Sequence, residues 1–154
     1  NNQVRVLRAL EAIAVTGQKM SDQQKAALPA ETPYRSLCLC LTCRDRDVLY
    51  RRIDLRVSRM VDAGILQEAE WVWRNRETFR TAAQAIGYKE YFPYFEGTQT
   101  QAECTEKLKQ ATRNYAKRQL TWFRHMDGVV WLDASAPDAA TRAVRLTREF
   151  LAKG

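Results

Sequence analysis

The sequence predicts an α/β chain that is mostly helical, with two short strands that belong to a larger sheet. Two observations carry this. Apolar residues recur at helical spacing through most of the 154 residues. Two brief apolar runs, Leu37 to Leu41 and Val129 to Leu132, break that rhythm and read as strands covered on both faces. Two such strands make a poor sheet by themselves, so a larger parallel sheet is expected around them.

Taken in order, Val4 to Val15 reads as a helix, with Val4, Leu7, Leu10 or Glu11, and Ala14 at helical spacing and Arg5 and Arg8 on a shared face; Gly17 stops it. Residues 18 to 33 are polar, contain Pro29 and Pro33, and read as a loop. Arg35 to Thr42 holds the first strand. Asp45 is placed as the N-cap of a helix running to Ala63. Its core stripe is Leu49, Ile53, Val57 and Met60; a second stripe is basic, Arg52, Arg56 and Arg59. Gly64 separates it from a helix over Ile65 to Arg74, with Leu66, Ala69 and Trp73 inward. Ala82 to Phe95 carries Gln84-Ala-Ile-Gly-Tyr-Lys89, and Glu96-Gly97-Thr98 is a turn. A long helix spans Thr100 to Met126; after Gly128 comes the second strand, and Ser135-Ala-Pro137 leads into a last helix over Asp138 to Lys153. Trp71, Trp73 and Trp131 read as core.

The composition, 45% hydrophobic and 28% charged, is that of a globular chain long enough for one domain with a real core. The net charge of +7 favours a phosphate-bearing partner. No run of about 18 apolar residues offers a membrane span, and no charged-then-apolar leader is visible. The start at Asn1-Asn2-Gln3, without an initiator Met, is expected to lie inside a longer protein. Cys38, Cys40 and Cys43 stand in a C-x-C-x-x-C run, but two of them sit within the strand, and His125 is the single histidine. Structural thiols are therefore expected rather than a zinc site, which wants four ligands in loop-like spacing.

The most informative stretch is Thr112 to Arg124. Between Lys107 and Met126 there is no Asp or Glu, while Lys107, Lys109, Arg113, Lys117, Arg118 and Arg124 are all cationic. At roughly 100° per residue, Arg113, Lys117 and Arg124 form one stripe. Cys104, Leu108, Ala111, Tyr115 and Trp122 form another, expected to pack inward. A one-sign face beside a packed face points to a polyanion.

That stretch resembles the C-terminal signature of the bacterial tRNA dimethylallyltransferase (tRNA prenyltransferase) family. Three more blocks resemble the family in its order: Arg5 to Glu11 with Thr16-Gly17, Arg44 to Arg56 with Met60, Gly64 and Glu68, and Ala85 to Glu90. The resemblance implies the C-terminal half of a P-loop nucleotide-kinase-like fold. It also implies an enzyme that transfers a dimethylallyl group from its diphosphate to N6 of the adenosine just 3′ of the anticodon, flipped out to be reached.

The family's phosphate-binding G-x-x-x-x-G-K-S/T loop is absent from this sequence, and its general-base Asp lies upstream of every matched block. No catalytic residue and no metal ligand is assigned here. Mg²⁺ is expected for the full-length enzyme and none for this fragment.

The resemblance implies tRNA contacts at Val4, Arg5, Val6, Leu7 and Arg8. It implies more at Gln84, Ala85, Ile86, Gly87, Tyr88 and Lys89, and at Lys117, Arg118, Gln119, Leu120, Thr121, Trp122, Phe123 and Arg124; Arg113 joins them from the basic stripe. Gly87 would let backbone approach the nucleic acid. Tyr88 either stacks on an unpaired base or packs in the core. Arg56, then Arg52, are the candidates to grip the diphosphate, the alternative being a solvated face paired with Asp45, Asp54 or Asp62. The implied partners are the tRNA anticodon stem-loop and, in the full-length enzyme, dimethylallyl diphosphate. A cytoplasmic monomer without a membrane partner is expected. The alternative reading is a stand-alone basic helical RNA-binding module without catalysis. A prenyltransferase acting on free adenine nucleotides fits less well, since a small substrate does not need several separated basic patches.

Overall fold

The computed structural model describes residues 2–27 and 34–153. It divides into two compact units, residues 1–36 and 37–154.

The first unit is a pair of helices, α1 (Gln3–Thr16) and α2 (Met20–Ala27). The Asn2 side chain caps α1 by accepting from the Arg5 amide, and Gly17 ends it at φ +68°, a left-handed position that favours glycine. The loop expected over 18 to 33 is thus partly helical. Its polar residues suit an exposed two-turn helix, with Asp22 in the first turn and Lys25 in the last complementing the helix dipole. Pro29 and Pro33 lie outside the described residues. Gln23 Nε2 donates to Thr16 Oγ1 at 2.6 Å and ties the pair together.

The second unit begins with β1 (Cys38–Thr42), followed by α3 (Arg46–Asp62) and α4 (Ile65–Arg74). Two 3₁₀ turns, Ala82–Gln84 and Lys89–Tyr91, lead to a single turn, α5 (Phe92–Phe95). The long helix α6 (Gln101–Arg124), strand β2 (Val129–Asp133) and helix α7 (Ala139–Ala152) complete it. The two strands pair directly and in parallel, Cys38 opposite Val129 through Thr42 opposite Asp133. A parallel pair requires a long crossover, here everything from α3 to α6. Cys40 and Leu132 are buried in this pair, whereas Leu41 stays 64% exposed. The expected cover on both faces is therefore only partly present among the described residues.

Asp45 caps α3 through the Asp47 amide. Thr100 and Glu103 form a reciprocal capping box on α6, and those hydrogen bonds hold the Glu103 carboxyl below its ordinary pKa. The core gathers Val57, Ile65, Ala69, Tyr91, Cys104 and Leu108. Tyr91 is fully buried and its hydroxyl shares a hydrogen bond with Thr105 Oγ1 at 3.0 Å. Burial pushes the Cys40 and Cys104 thiols up.

Two aromatic expectations are corrected. Trp71 is 59% exposed and lies against Phe79, with ring centroids 4.6 Å apart, because α4 turns Ile65, Ala69 and Val72 inward instead. On α6, only Cys104 and Leu108 of the predicted inward stripe are buried. Tyr115 is 47% and Trp122 71% exposed. At about 1.5 Å per residue α6 runs well beyond the elements that cover its first half.

Candidate nucleic-acid interface

The C-terminal half of α6 presents three different faces, two of which meet other parts of the second unit while the third is open. Ala116, Leu120 and Phe123 form an apolar seam toward a groove of about 560 Å³. Leu39, Leu41, Leu49 and Ile53 supply its other walls, and Arg52 and Arg56 stand among its lining residues. The Arg52 guanidinium reaches Cys43 Sγ at 3.7 Å.

A second face turns Lys117 and Arg124, two helical turns apart, into a cleft of about 160 Å³. Arg44, from the loop before α3, and Arg46, the first residue of α3, enter the same cleft beside Thr42, Tyr50 and Thr121. Four cations thus converge with no carboxylate among the lining residues. Arg44 has a long ion pair with Asp133, 3.7 Å, but its side chain remains 92% exposed. Arg44 and Arg46 were not singled out as site residues from the sequence. Alternation with Asp45 and Asp47 makes that string look self-neutralised, yet Asp45 is turned to its capping role.

The third face carries Tyr115, Arg118 and Trp122, with the Arg118 guanidinium 5.7 Å from the Tyr115 ring centre. Gln119 is exposed nearby.

Arg113 departs from the expected solvated stripe. Its guanidinium bonds Asp54 Oδ1 of α3 at 2.5 Å and is only 20% exposed. It ties α6 to α3, and Asp54 is thereby not the partner of Arg52 or Arg56.

In the Gln84–Lys89 block, Gln84 and Lys89 are exposed, while Ala85, Ile86 and Tyr88 are half-buried and Gly87 is buried. Gly87 does not offer an open backbone. Its N–H donates to Glu90 Oε2 at 2.8 Å, and its φ of +117° is what demands glycine. The Tyr88 ring packs on the core, and its hydroxyl donates to Glu68 Oε2 at 3.2 Å. Burial first, and the Glu68 carboxylate second, raise that phenol's pKa. Packing, not base stacking, describes Tyr88. Gly87→Ala is expected to cost about 1–3 kcal/mol in a thermal melt, chiefly as backbone strain, since the added Cβ would meet only Ile65 Cδ1 at 3.6 Å.

In the first unit, Val4, Arg5, Val6, Leu7 and Arg8 are all exposed on α1. That helix has no buried residue, so its apolar side chains are open to a partner.

The IPP transferase family model matches residues 1–126. The chain belongs to the IPP transferase family. A tRNA dimethylallyltransferase of Lactobacillus johnsonii is 48% identical over 153 residues, 99% of this chain and 49% of that protein. Among solved structures, a full-length tRNA isopentenylpyrophosphate transferase from Bacillus halodurans is 37% identical, with a TM-score of 0.74 over 99% of this chain and 46% of that one. A eukaryotic dimethylallyltransferase described as acting on tRNA is 28% identical, with a TM-score of 0.84 over 99% of this chain and 42% of that one. The chain spans about half the length of the curated relatives it matches. This member of the IPP transferase family therefore shares the sequence and the α/β fold of tRNA-modifying transferases over one half of their length.

Proposed function

We propose that this chain is the tRNA-binding portion of an enzyme that transfers a dimethylallyl group from dimethylallyl diphosphate to N6 of the adenosine just 3′ of the tRNA anticodon. The observation that carries the reading is the cleft in which Lys117, Arg124, Arg44 and Arg46 converge without a lining carboxylate. Such a cluster attracts phosphate, and guanidinium groups grip phosphate oxygens in pairs. The exposed Arg5 and Arg8 on α1, and Gln84 and Lys89 in the second unit, add further polar contacts along an RNA backbone.

The groove beside β1 suits the second substrate. An apolar wall with Arg52 and Arg56 at hand matches a ligand with an anionic head and a hydrocarbon tail. In this reading the two strands are part of the larger sheet of a P-loop nucleotide-kinase-like core. The loop that cradles the diphosphate and the general base come from residues outside this sequence, which contains no G-x-x-x-x-G-K-S/T motif. Among the described residues no cluster of three or more His, Cys, Asp or Glu could hold a metal ion. Mg²⁺ is proposed for the full-length enzyme, and none of the roles proposed here passes through it. Among the described residues no helix is long and apolar enough to cross a membrane; a cytoplasmic monomer is proposed.

Incubating the purified chain with unmodified tRNA and dimethylallyl diphosphate tests the division of labour. The expected outcome is tRNA binding without N6-prenylated adenosine. Measurable product would show that the chemistry resides in these residues after all, and absence of tRNA binding would contradict the proposal outright.

A further inference from the structure

The cation cleft and the apolar groove adjoin, for Thr42, Cys43, Leu49 and Leu120 line both. Thr42 ends β1, so the cleft lies at the carboxyl end of the parallel pair, the end at which open parallel sheets bind ligands. At about 160 Å³ the cleft is smaller than the roughly 300–1,000 Å³ of a pocket that encloses a whole organic ligand. It has room for one small group, yet Arg44, Arg46, Lys117 and Arg124 all line it. Of these four, only Arg44 has an ion pair among the described residues, the long one to Asp133.

That is more positive charge in one place than a single backbone phosphate neutralises. A phosphate diester carries one negative charge, and its neighbours are spaced out along the strand. A free diphosphate instead concentrates several charges on two adjoining phosphoryl groups. Guanidinium forks and an ammonium arriving from different walls hold such a group from several sides at once. A cleft lined by one sign of charge also draws in a small anion of the other sign.

We propose that the cleft takes free diphosphate, so that the leaving group of the transfer and the tRNA backbone compete for the same four cations. The proposal rests on the reaction read above. In that transfer the C–O bond of dimethylallyl diphosphate breaks and its electron pair stays on the diphosphate. Adenosine N6 bonds to the freed carbon and gives up a proton to the base supplied from outside this sequence. The diphosphate is set free in the groove beside Arg52 and Arg56, and the adjoining cleft is the next cationic surface it meets. Held there, it displaces RNA phosphates from Lys117 and Arg124, so one product of the reaction loosens the other.

The test titrates inorganic diphosphate, orthophosphate and sulfate into the full 154-residue chain by calorimetry, without RNA and at matched ionic strength. Diphosphate is expected to bind on the order of tenfold tighter than either other anion. Arg44→Gln with Arg46→Gln is expected to weaken it on the order of tenfold. Arg142→Gln with Arg148→Gln, exposed on α7, removes two charges elsewhere and is expected to change it less than about twofold. Melting curves check that each variant is folded, and Lys117→Gln with Arg124→Gln takes the place of the first pair if it is not. Diphosphate is then expected to displace a labelled tRNA from the chain at lower concentration than sulfate does. Equal affinity for the three anions, or equal losses in the cleft and α7 variants, would reduce the effect to overall charge and overturn the proposal. A loss in Arg52→Gln with Arg56→Gln and none in the cleft variants would seat the anion in the groove and overturn it too. Tight diphosphate binding that leaves bound tRNA in place overturns the competition. Diphosphate binding in the cleft of a chain that holds no tRNA supports the anion site and removes the tRNA reading alone.

Discussion

Leu108→Ala is expected to cost about 2–5 kcal/mol of stability, through lost apolar burial and the cavity left behind. Leu108 is 1% exposed and sits in the cluster with Val57, Ile65, Ala69, Tyr91 and Cys104, where α3, α4 and α6 meet the turn at Lys89–Tyr91. Few neighbours there can move in, since Ala69, Tyr91 and Cys104 have no exposed surface. Trp122→Ala, on the same helix, is expected to fall within about 0.5 kcal/mol, as for an exposed position. Paired thermal melts check the contrast. A large loss at Trp122 and a small one at Leu108 would show that the burial along α6 runs opposite to this description.

The second large effect concerns the cation cleft. Replacing Lys117 and Arg124 together with Gln is expected to leave the melting curve nearly unchanged, because both side chains are exposed and neither has an ion pair among the described residues. tRNA affinity is expected to drop by on the order of tenfold to a hundredfold at low salt, if each contact is a charge-assisted bond of about 1.5–3 kcal/mol less its solvation. The slope of log affinity against log salt should fall by about two, one for each phosphate contact removed. Adding Arg44→Gln and Arg46→Gln should lower it further if the four cations act on one RNA backbone. An early melt with normal tRNA binding would assign Lys117 and Arg124 to the fold and not to the RNA.

Local signals were legible in the sequence wherever one element sufficed to produce them. The helix over Ile65–Arg74 is present as expected after Gly64 at φ +100°, but of the residues expected inward only Ala69 is buried; Ile65 and Val72 join it, and Leu66 and Trp73 are half-buried. Both strands coincide with their apolar runs to within one residue at either end. Their pairing with each other was not legible, since register across a crossover depends on how α3 to α6 pack. The same limit explains the outcome on α6. Helical periodicity tells which residues share a face, and Cys104, Leu108, Tyr115 and Trp122 do. It does not tell how far along a 24-residue helix the covering elements reach. The ion pair of Arg113 was not legible for a related reason: its partner Asp54 is 59 residues away in sequence. Arg44 and Arg46 were hidden by the alternating acids between them. The α2 helix has too few apolar residues to show a period at all.

The central claim is that the basic faces of this chain are a footprint for tRNA, and a salt titration of the unsubstituted chain tests it most directly. Binding to unmodified tRNA would be measured from about 50 to about 200 mM salt. With about six phosphates neutralised, affinity is expected to fall on the order of 10³-fold, as counterions are released. A flat response, or no binding at the lowest salt, would contradict the account.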